Sequence, residues 1–410
     1  MTFLTNMTQH TAATVFTVVF LVIFGTTILS VAIRLIIYAK KVYLRRNEHT
    51  TITTNPSTPT NRAVANETLD TNCVEKLLEE VAPLQFSPEQ LTGFTANYVT
   101  KLGSGGFGAV YKGWLPNKVK IAVKVLRGDN LDERIKEQFM AEVGTIGRTH
   151  HINLVRLYGF CFEPELKALV FEYMKTGSLD RYLFDHEKHR TNVAALHEIA
   201  VGTAKGIKYL HEECENRIIH YDIKPENILL DANFTPKVAD FGLARLLSRA
   251  NTHITMTGMR GTPGYAAPEM WVPGAPITYK CDVYSFGIML FEIVRRRRNF
   301  DERATESQQW FPTEALKRFV EGRLGEVMAS LHGVQEWESM EKAERMCKVG
   351  LLCVQYRPQA RPEMSMVVKM LEGEMEVTAP PTNAFQHFMG VEIEGRSSST
   401  NPVTSGSSTR

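Results

Sequence analysis

Three polar side chains that could carry out chemistry lie close together in one short segment. Asp222 could accept a proton from a substrate hydroxyl, Lys224 could stabilise a phosphoryl group in transfer, and Asn227 offers an oxygen to a divalent metal. Apolar residues at 218–219 and 228–230 flank the segment, which predicts a loop anchored in the core at both ends. A polar turn between two strands is the alternative, and it would hold if no related motif occurred elsewhere in the chain.

A glycine-rich segment lies far upstream of this loop, between two stretches that alternate as strands. Its residues are Gly103, Ser104, Gly105, Gly106 and Gly108. The spacing alone is weakly specific, because dinucleotide-binding folds use the same one. In those folds a helix follows, whereas here the residues at 110–113 and 120–125 read as strands. We therefore predict a hairpin that covers phosphates, in which glycine lets the backbone approach the anionic oxygens.

Two further motifs accompany this hairpin and the loop. Lys124 stands in the middle of an apolar strand, Ile-Ala-Val-Lys-Val, where a charge is costly unless a partner or a bound anion satisfies it. An Asp-Phe-Gly turn begins at Asp240, thirteen residues after Asn227. An Asp-Phe-Gly sequence alone is weak evidence for a functional site, but its position after this loop makes the combination of the two motifs highly specific.

These motifs occur in one order, and together they resemble the protein kinase family over residues 98–372. The segment 218–230 is similar to the catalytic loop, with the Lys-Pro-Glu-Asn continuation seen in serine/threonine kinases. The phrases at 261–271 and 281–292 resemble plant receptor-like kinases, particularly the leaf-rust-resistance and thaumatin-domain receptor kinase group. Such proteins usually carry a large extracellular domain, and this chain is expected to lack one.

The resemblance implies a catalytic role for four residues. Asp222 would position and deprotonate the acceptor hydroxyl, and Lys224 would support the γ-phosphoryl group. Lys124 would grip the α- and β-phosphates of ATP and pair with Glu142 when the helix at 137–143 moves inward. For Glu142 the alternative is a place on a solvent-exposed helix face.

The resemblance also implies ATP and Mg²⁺ (or Mn²⁺) as cofactors. Asn227 and Asp240 would hold the metal. The hinge at 172–174 would bind adenine through its backbone, and Phe171 would narrow the pocket behind the purine. The expected nucleotide-binding residues are Gly103, Ser104, Gly105, Gly106, Gly108, Val110, Ala122, Lys124, Glu172, Met174 and Leu229.

Several other positions match residues with structural roles in the family. The segment 240–269 resembles the activation segment, and within it Thr262 is expected to bond the catalytic Asp and Lys. Asp282 is expected to hold the backbone of the catalytic loop. Arg361 is expected to pair with Glu269 in a structural bridge.

One residue departs from the common family pattern, because Tyr221 stands where most kinases have an arginine. That arginine binds a phosphate on the activation segment, and tyrosine cannot form this charge pair. We therefore expect activity to depend less on phosphorylation of Thr255 and Thr257, as in the non-RD receptor kinases that are linked to immune signalling.

The N-terminal region contains an uncharged stretch at 14–33 that is long enough to cross a bilayer as a helix, and we place a membrane span at 14–36. No Lys or Arg precedes the stretch, whereas several follow it between residues 34 and 46. The positive-inside rule therefore places the bulk of the chain in the cytosol, as a single-pass membrane protein. The resemblance to receptor-like kinases implies that this membrane is the plasma membrane. A cleaved signal peptide is the alternative, but it requires basic residues before the apolar stretch.

The expected fold class is α+β, a two-lobed protein kinase fold with a small β-rich N-lobe and a large helical C-lobe, preceded by one transmembrane helix. Apolar residues at 77–91 are expected to pack against the kinase domain. The expected regions are a short extracellular N-terminus at 1–13, the span at 14–36, a cytosolic juxtamembrane segment at 37–97, the kinase domain at 98–376 and a disordered C-terminal tail at 377–410.

The function that follows from these expectations is that of a membrane-anchored, ATP-dependent serine/threonine kinase in receptor-like defence or stress signalling. Its expected partners are ATP, protein substrates, the lipid bilayer and other receptor kinases. A net charge of +2, with no basic run interleaved with aromatic residues, argues against nucleic acid. The alternative is a kinase-fold signalling scaffold with weak or no phosphotransfer, which has no physical need for the full set of motif residues. Lys224 and Thr262 disfavour a tyrosine kinase.

Overall fold

The structure is a computed structural model that describes residues 83–105, 108–126, 133–184, 192–249, 251, 253–255, 261–299, 310–326 and 337–380. Its strands are β1 (Leu84–Gln85), β2 (Lys101–Gly105), β3 (Gly108–Trp114), β4 (Lys120–Leu126), β5 (Leu157–Phe162), β6 (Lys167–Glu172), β7 (Gly177–Ser178), β8 (Arg217–Ile219), β9 (Ile228–Leu230), β10 (Pro236–Val238), β11 (Arg245–Leu247), β12 (Ile254–Thr255) and β13 (Pro276–Ile277). Its α-helices are α1 (Pro88–Phe94), α2 (Glu133–Ile146), α3 (Leu179–Phe184), α4 (Val193–Lys208), α5 (Lys280–Arg295), α6 (Phe311–Val320), α7 (Trp337–Cys353) and α8 (Met364–Glu372).

The small lobe is built on a six-stranded sheet in the order β1-β5-β6-β4-β3-β2. All of its pairs are antiparallel except β1 with β5. On β4, Ile121 and Val123 are fully buried in the small-lobe core, as is Val170 of β6. Because side chains alternate along a strand, Lys124 lies on the opposite face of the sheet, where it meets α2.

The glycine-rich segment forms a hairpin, since β2 pairs antiparallel with β3 and β3 pairs with β4. This confirms the prediction of a strand rather than a helix after the glycines. Gly108 has φ +144°, and a Cβ at this position would lie 2.0 Å from the carbonyl oxygen of Val125. Only glycine therefore allows β3 to approach β4 at this point.

The residues before the glycine-rich hairpin, which include β1 and α1, belong to the small lobe. Ser87 and Gln90 form a capping box at the start of α1, in which each side chain bonds the backbone N–H of the other residue. Phe86 and Leu91 are buried in the small-lobe core. The packing expected for apolar residues at 77–91 is therefore present at these two positions.

The large lobe is organised around α5, whose residues are buried along nearly its whole length. Its sequence is apolar on all sides, which suits a helix enclosed by neighbours such as α4 and α7. Arg361 lies beside the start of this helix and donates two hydrogen bonds to the carboxylate of Glu269, at 2.6 and 2.8 Å. The predicted structural bridge is thus confirmed.

The predicted two-lobed kinase fold, with a β-sheet lobe followed by a helical lobe, is confirmed. Among the described residues, no helix combines the length and the apolar character needed to cross a membrane. The predicted span at 14–36 lies outside these residues, as do the predicted N-terminus at 1–13 and the part of the tail beyond residue 380.

Candidate active site

The loop that carries Asp222 is held between β8 and β9 and is fixed by the carboxylate of Asp282. This carboxylate, fully buried at the start of α5, accepts hydrogen bonds from the backbone N–H groups of His220 and Tyr221, both at 2.8 Å. It also lies 2.9 Å from Nε2 of His211. The role predicted for Asp282 is confirmed, and the loop is therefore held in one conformation.

The carboxylate of Asp222 is oriented by three neighbouring side chains. Thr262 Oγ1 donates to its Oδ1 at 2.6 Å, and Asn227 Nδ2 donates to its Oδ2 at 2.9 Å. Lys224 Nζ lies 2.8 Å from the same Oδ2 and donates to Thr262 Oγ1 at 2.6 Å. The predicted contacts of Thr262 with both residues are confirmed, so the activation segment is tied to the catalytic loop through one hydroxyl.

Lys124 connects α2 to the Asp-Phe-Gly turn. Its Nζ lies 2.5 Å from the carboxylate of Glu142 and 2.7 Å from that of Asp240. The predicted pair with Glu142 is therefore present, which excludes a solvent-exposed face for this buried glutamate. A single ammonium group thus joins the sheet, the helix and the turn.

Lys124, Glu142 and Asp240 shift one another's pKa values. Burial raises the pKa of Glu142 to about 6, although Lys124 opposes the shift. Burial would lower the pKa of Lys124, but Asp240 and Glu142 outweigh it and raise that pKa. Burial would likewise raise the pKa of Asp240, but Lys124 outweighs it and the pKa falls below its usual value. Lys124 and Asp240 are therefore charged at neutral pH.

A cleft between the sheet and the large lobe encloses about 490 Å³. Phe171 is among the residues that line it. Of the predicted nucleotide-binding and metal-binding residues, those that line the cleft are Gly103, Ser104, Gly105, Gly108, Val110, Ala122, Lys124, Glu172, Met174, Leu229, Asn227 and Asp240. Gly106 lies outside the described residues. Asp222 and Lys224 adjoin the cleft through Asn227.

Asn227 and Asp240 fit a divalent metal that is bound together with nucleotide phosphates. The amide nitrogen of Asn227 donates to Asp222, which leaves its oxygen as the group available to a cation. Asp240 engages Lys124 through one carboxylate oxygen, and about a third of its side chain is exposed. Within the described part of the chain, no group of three or more His, Cys, Asp or Glu residues could hold a metal by itself. Mg²⁺ characteristically binds through one or two carboxylates plus substrate phosphates, and this arrangement suits it.

Asp240 in the site and Tyr221 next to Asp222 adopt a left-handed backbone conformation that non-glycine residues rarely take. Tyr221 has φ +67° and Asp240 has φ +64°. Such conformations cost about 1–3 kcal/mol each and persist where the surroundings enforce them. For Tyr221 those surroundings are its buried side chain and the bond from its N–H to Asp282.

The structure adds two residues that the sequence motifs did not reveal. Gln138 is buried one turn before Glu142, and a Cβ added to Gly242 would meet its Nε2 at 2.7 Å. It therefore packs α2 against the Asp-Phe-Gly turn. His220 lies 3.0 Å from the carbonyl oxygen of Ala239 through Nε2, and its Nδ1 accepts from the N–H of Asp222. For Gln138, the only indication in the sequence was its position four residues before Glu142, which places both residues on one helix face.

We predict that Glu142→Gln changes the pH dependence of stability. Because the pKa of Glu142 is raised from 4.5 to about 6, its contribution to stability is fully present below pH 4.5 and is lost as the pH rises through about 6. That loss is about 2 kcal/mol, and the variant should lack it. Free energies of unfolding measured on both sides of this interval check the prediction. Glu341→Gln, at an exposed carboxylate, should follow the wild type. A difference between Glu142→Gln and the wild type that stayed constant with pH would contradict the prediction.

Comparison with known proteins agrees with this geometry. A family model described as the protein kinase domain matches residues 96–371. A G-type lectin S-receptor-like serine/threonine-protein kinase of Arabidopsis thaliana is 48% identical over 301 residues, which cover 72% of this chain and 36% of that protein. Rust resistance kinase Lr10 of Triticum aestivum is 40% identical over 309 residues, 74% of this chain and 48% of that one. This chain therefore spans about a third to a half of the length of these relatives. It belongs to the protein kinase family, as its motifs predicted, and these relatives are plant kinases, one of them named a receptor-like serine/threonine kinase.

Proposed function

We propose that this chain transfers the γ-phosphate of ATP to serine or threonine hydroxyls of protein substrates, with Mg²⁺ or Mn²⁺ as the metal. The observation that supports it best is that the Lys124–Glu142 pair and the Asp222 network are assembled in the same structure. Both are needed to align a nucleotide with an acceptor hydroxyl.

The mechanism follows from the side chains that surround the cleft. A substrate hydroxyl placed at Asp222 would donate to this carboxylate, which three neighbours already hold in one orientation. Lys224, beside it, would offset negative charge on the phosphoryl group in transfer. Lys124 would bind nucleotide phosphates while Glu142 holds its ammonium group in place. When bound at Asn227 and Asp240, the metal would supply charge neutralisation at the phosphates.

A signalling scaffold without phosphotransfer remains the second candidate. The site geometry favours the enzyme, because a scaffold has no physical reason to hold Lys124 between two carboxylates or to orient Asp222 with three donors.

We predict that Asp222→Asn lowers the rate of phosphotransfer by about 10²–10⁴-fold, since general-base catalysis contributes on that order. Binding of ATP should be retained, because Asp222 adjoins the nucleotide cleft through Asn227. Transfer of labelled phosphate from ATP by the full chain measures the first quantity, and nucleotide titration measures the second. Glu215→Gln, at an exposed carboxylate, should keep full activity. Nucleotide binding with no incorporation by the wild-type chain would favour the scaffold.

Regulation is proposed to depend less on phosphorylation of the activation segment than in most kinases, because Tyr221 offers no cation to a phosphate. Of the two candidate phosphosites, Thr257 lies outside the described residues.

We predict that Thr255→Ala combined with Thr257→Ala lowers phosphotransfer by no more than about threefold, a loss of less than 1 kcal/mol in transition-state stabilisation. Initial rates of the full chain and of the double variant check this prediction. Thr262→Ala serves as the contrasting variant, and it should lose far more activity because its hydroxyl bonds both Asp222 and Lys224. Loss of transfer in the double variant, with nucleotide binding intact, would show that the segment does require its phosphates.

The proposed setting is a membrane, with a single span at 14–36, a juxtamembrane segment at 37–97, a cytosolic kinase domain at 98–376 and a tail at 377–410. The plasma membrane, other receptor kinases as partners, and a part in defence or stress signalling belong to the same proposal. The name of the wheat relative, a rust resistance kinase, supports the defence role.

We predict that Phe20→Arg combined with Phe24→Arg releases the chain from membranes, because each arginine near the centre of a span costs about 2.5–3.5 kcal/mol. Sedimentation of membranes after an alkaline wash, followed by detection of the chain in pellet and supernatant, provides the measurement. Phe385→Arg with Phe388→Arg makes the same chemical change in the tail and should leave the chain in the pellet. If the wild-type chain itself were washed off, the proposed span would be wrong.

A further inference from the structure

Two carboxylates near the catalytic loop converge on one arginine of the same chain. Glu226, in the single helical turn Pro225–Asn227, lies 2.6 Å from Nη2 of Arg298 through its Oε1. Glu292, near the end of α5, lies 3.9 Å from Nη1 of Arg298 through its Oε2. The catalytic loop and the central helix of the large lobe thus contribute one acid each, and Arg298 lies between them.

Arg298 is held by two further groups. Its Nη1 donates to the hydroxyl of Tyr265 at 2.9 Å, and that hydroxyl donates to Glu292 at 2.6 Å. The guanidinium also stacks on the ring of Phe184, 4.3 Å from its centroid. Nearly half of the Arg298 side chain remains exposed, at 44%. The guanidinium therefore fills an acidic pocket that opens to solvent, and four side chains define the pocket: Phe184, Glu226, Tyr265 and Glu292.

This acidic pocket adjoins the place where a substrate hydroxyl would sit. Glu226 lines the cleft and is the neighbour of Asn227, whose amide donates to Asp222. Successive residues of an extended peptide lie about 3.3 Å apart. A peptide that presents Ser or Thr to Asp222 would therefore bring side chains near its acceptor residue within reach of the pocket.

The charges decide what the pocket can bind. The Glu292 carboxylate is buried, and burial raises its pKa despite the Tyr265 and Asn299 hydrogen bonds. Oε2 of Glu226 is also buried, and its Oε1 faces Arg298. Without Arg298, the two carboxylates would leave a half-open acidic site that suits a basic side chain. With Arg298 in place, a basic side chain of a substrate would be repelled by the guanidinium that already occupies the pocket.

We propose that Arg298 is a specificity-determining residue that occupies an acidic substrate pocket and so removes the preference for basic side chains near the acceptor hydroxyl. This rests on the proposed phosphotransfer function. Arg298 acts as an internal substitute for the basic residue of a substrate, and the preferred protein substrates carry neutral or acidic residues at the position that faces the pocket.

The test is a set of peptides in which each position that flanks one serine or threonine carries Arg, Glu or Ala in turn. For the full wild-type chain, kcat/KM should not rise with Arg at any position. For Arg298→Gln, one position should gain a preference for Arg over Ala of about tenfold. Arg297→Gln removes the same charge one residue away, at an exposed site, and should keep the wild-type profile.

Further variants keep the test decisive if Arg298→Gln folds poorly. Arg298→Lys keeps the charge but loses the forked contact with the pocket, and it should show a smaller gain at the same position. Glu226→Gln added to either variant should abolish the gain, because it removes the receiving carboxylate. A wild-type preference for Arg, or identical profiles in all variants, would overturn the specificity proposal while leaving the kinase assignment intact. Nucleotide binding without transfer to any peptide or to the chain itself would overturn both.

Discussion

The buried ammonium group of Lys124 is the constraint on which the site depends. A cation in the middle of an apolar strand is stable only beside opposite charge, and two carboxylates supply it from α2 and from the Asp-Phe-Gly turn. Removing the carboxylate of Glu142 or of Asp240 would change the electrostatic stabilisation of Lys124 and of the carboxylate that remains. The same ammonium group therefore determines the position of α2 and the orientation of the Asp-Phe-Gly turn. It also determines how the phosphate-binding end of the cleft is arranged.

A second buried charge fixes the other half of the site. Asp282 holds the backbone of the catalytic loop, and Thr262 then links Asp222 and Lys224 to the activation segment. Each half is anchored by a charge that its own lobe contributes. The strained backbone at Tyr221 lies where the buried loop is most tightly held. Rigid polar networks of this kind orient reacting groups before a substrate arrives.

The sequence was sufficient to predict the two lobes, the order of the motifs and the residue pairs that the family resemblance implies. This was possible because short motifs such as the catalytic loop are recognisable from the spacing of their polar and apolar residues. It could not reveal long-range contacts other than the pairs that the family resemblance implies. Gln138 packs against Gly242 across the two lobes, and Arg298, three residues beyond the end of α5, pairs with Glu226. In sequence Arg298 is one of four consecutive arginines, and nothing in its local pattern separates it from the other three.

The match to the kinase family begins at residue 96, yet the small lobe draws on residues before it. Strand β1 covers the edge of β5, and Gly159 of β5 lets the carbonyl of Leu84 and the ring of Phe86 approach within 2.5 Å of where a Cβ would stand. A fragment cut at the family boundary would lose Phe86 and Leu91 from the core and leave a bare sheet edge, which invites self-association. Recombinant proteins that begin at the motif boundary would for this reason be less stable and more prone to aggregation than those that keep β1 and α1.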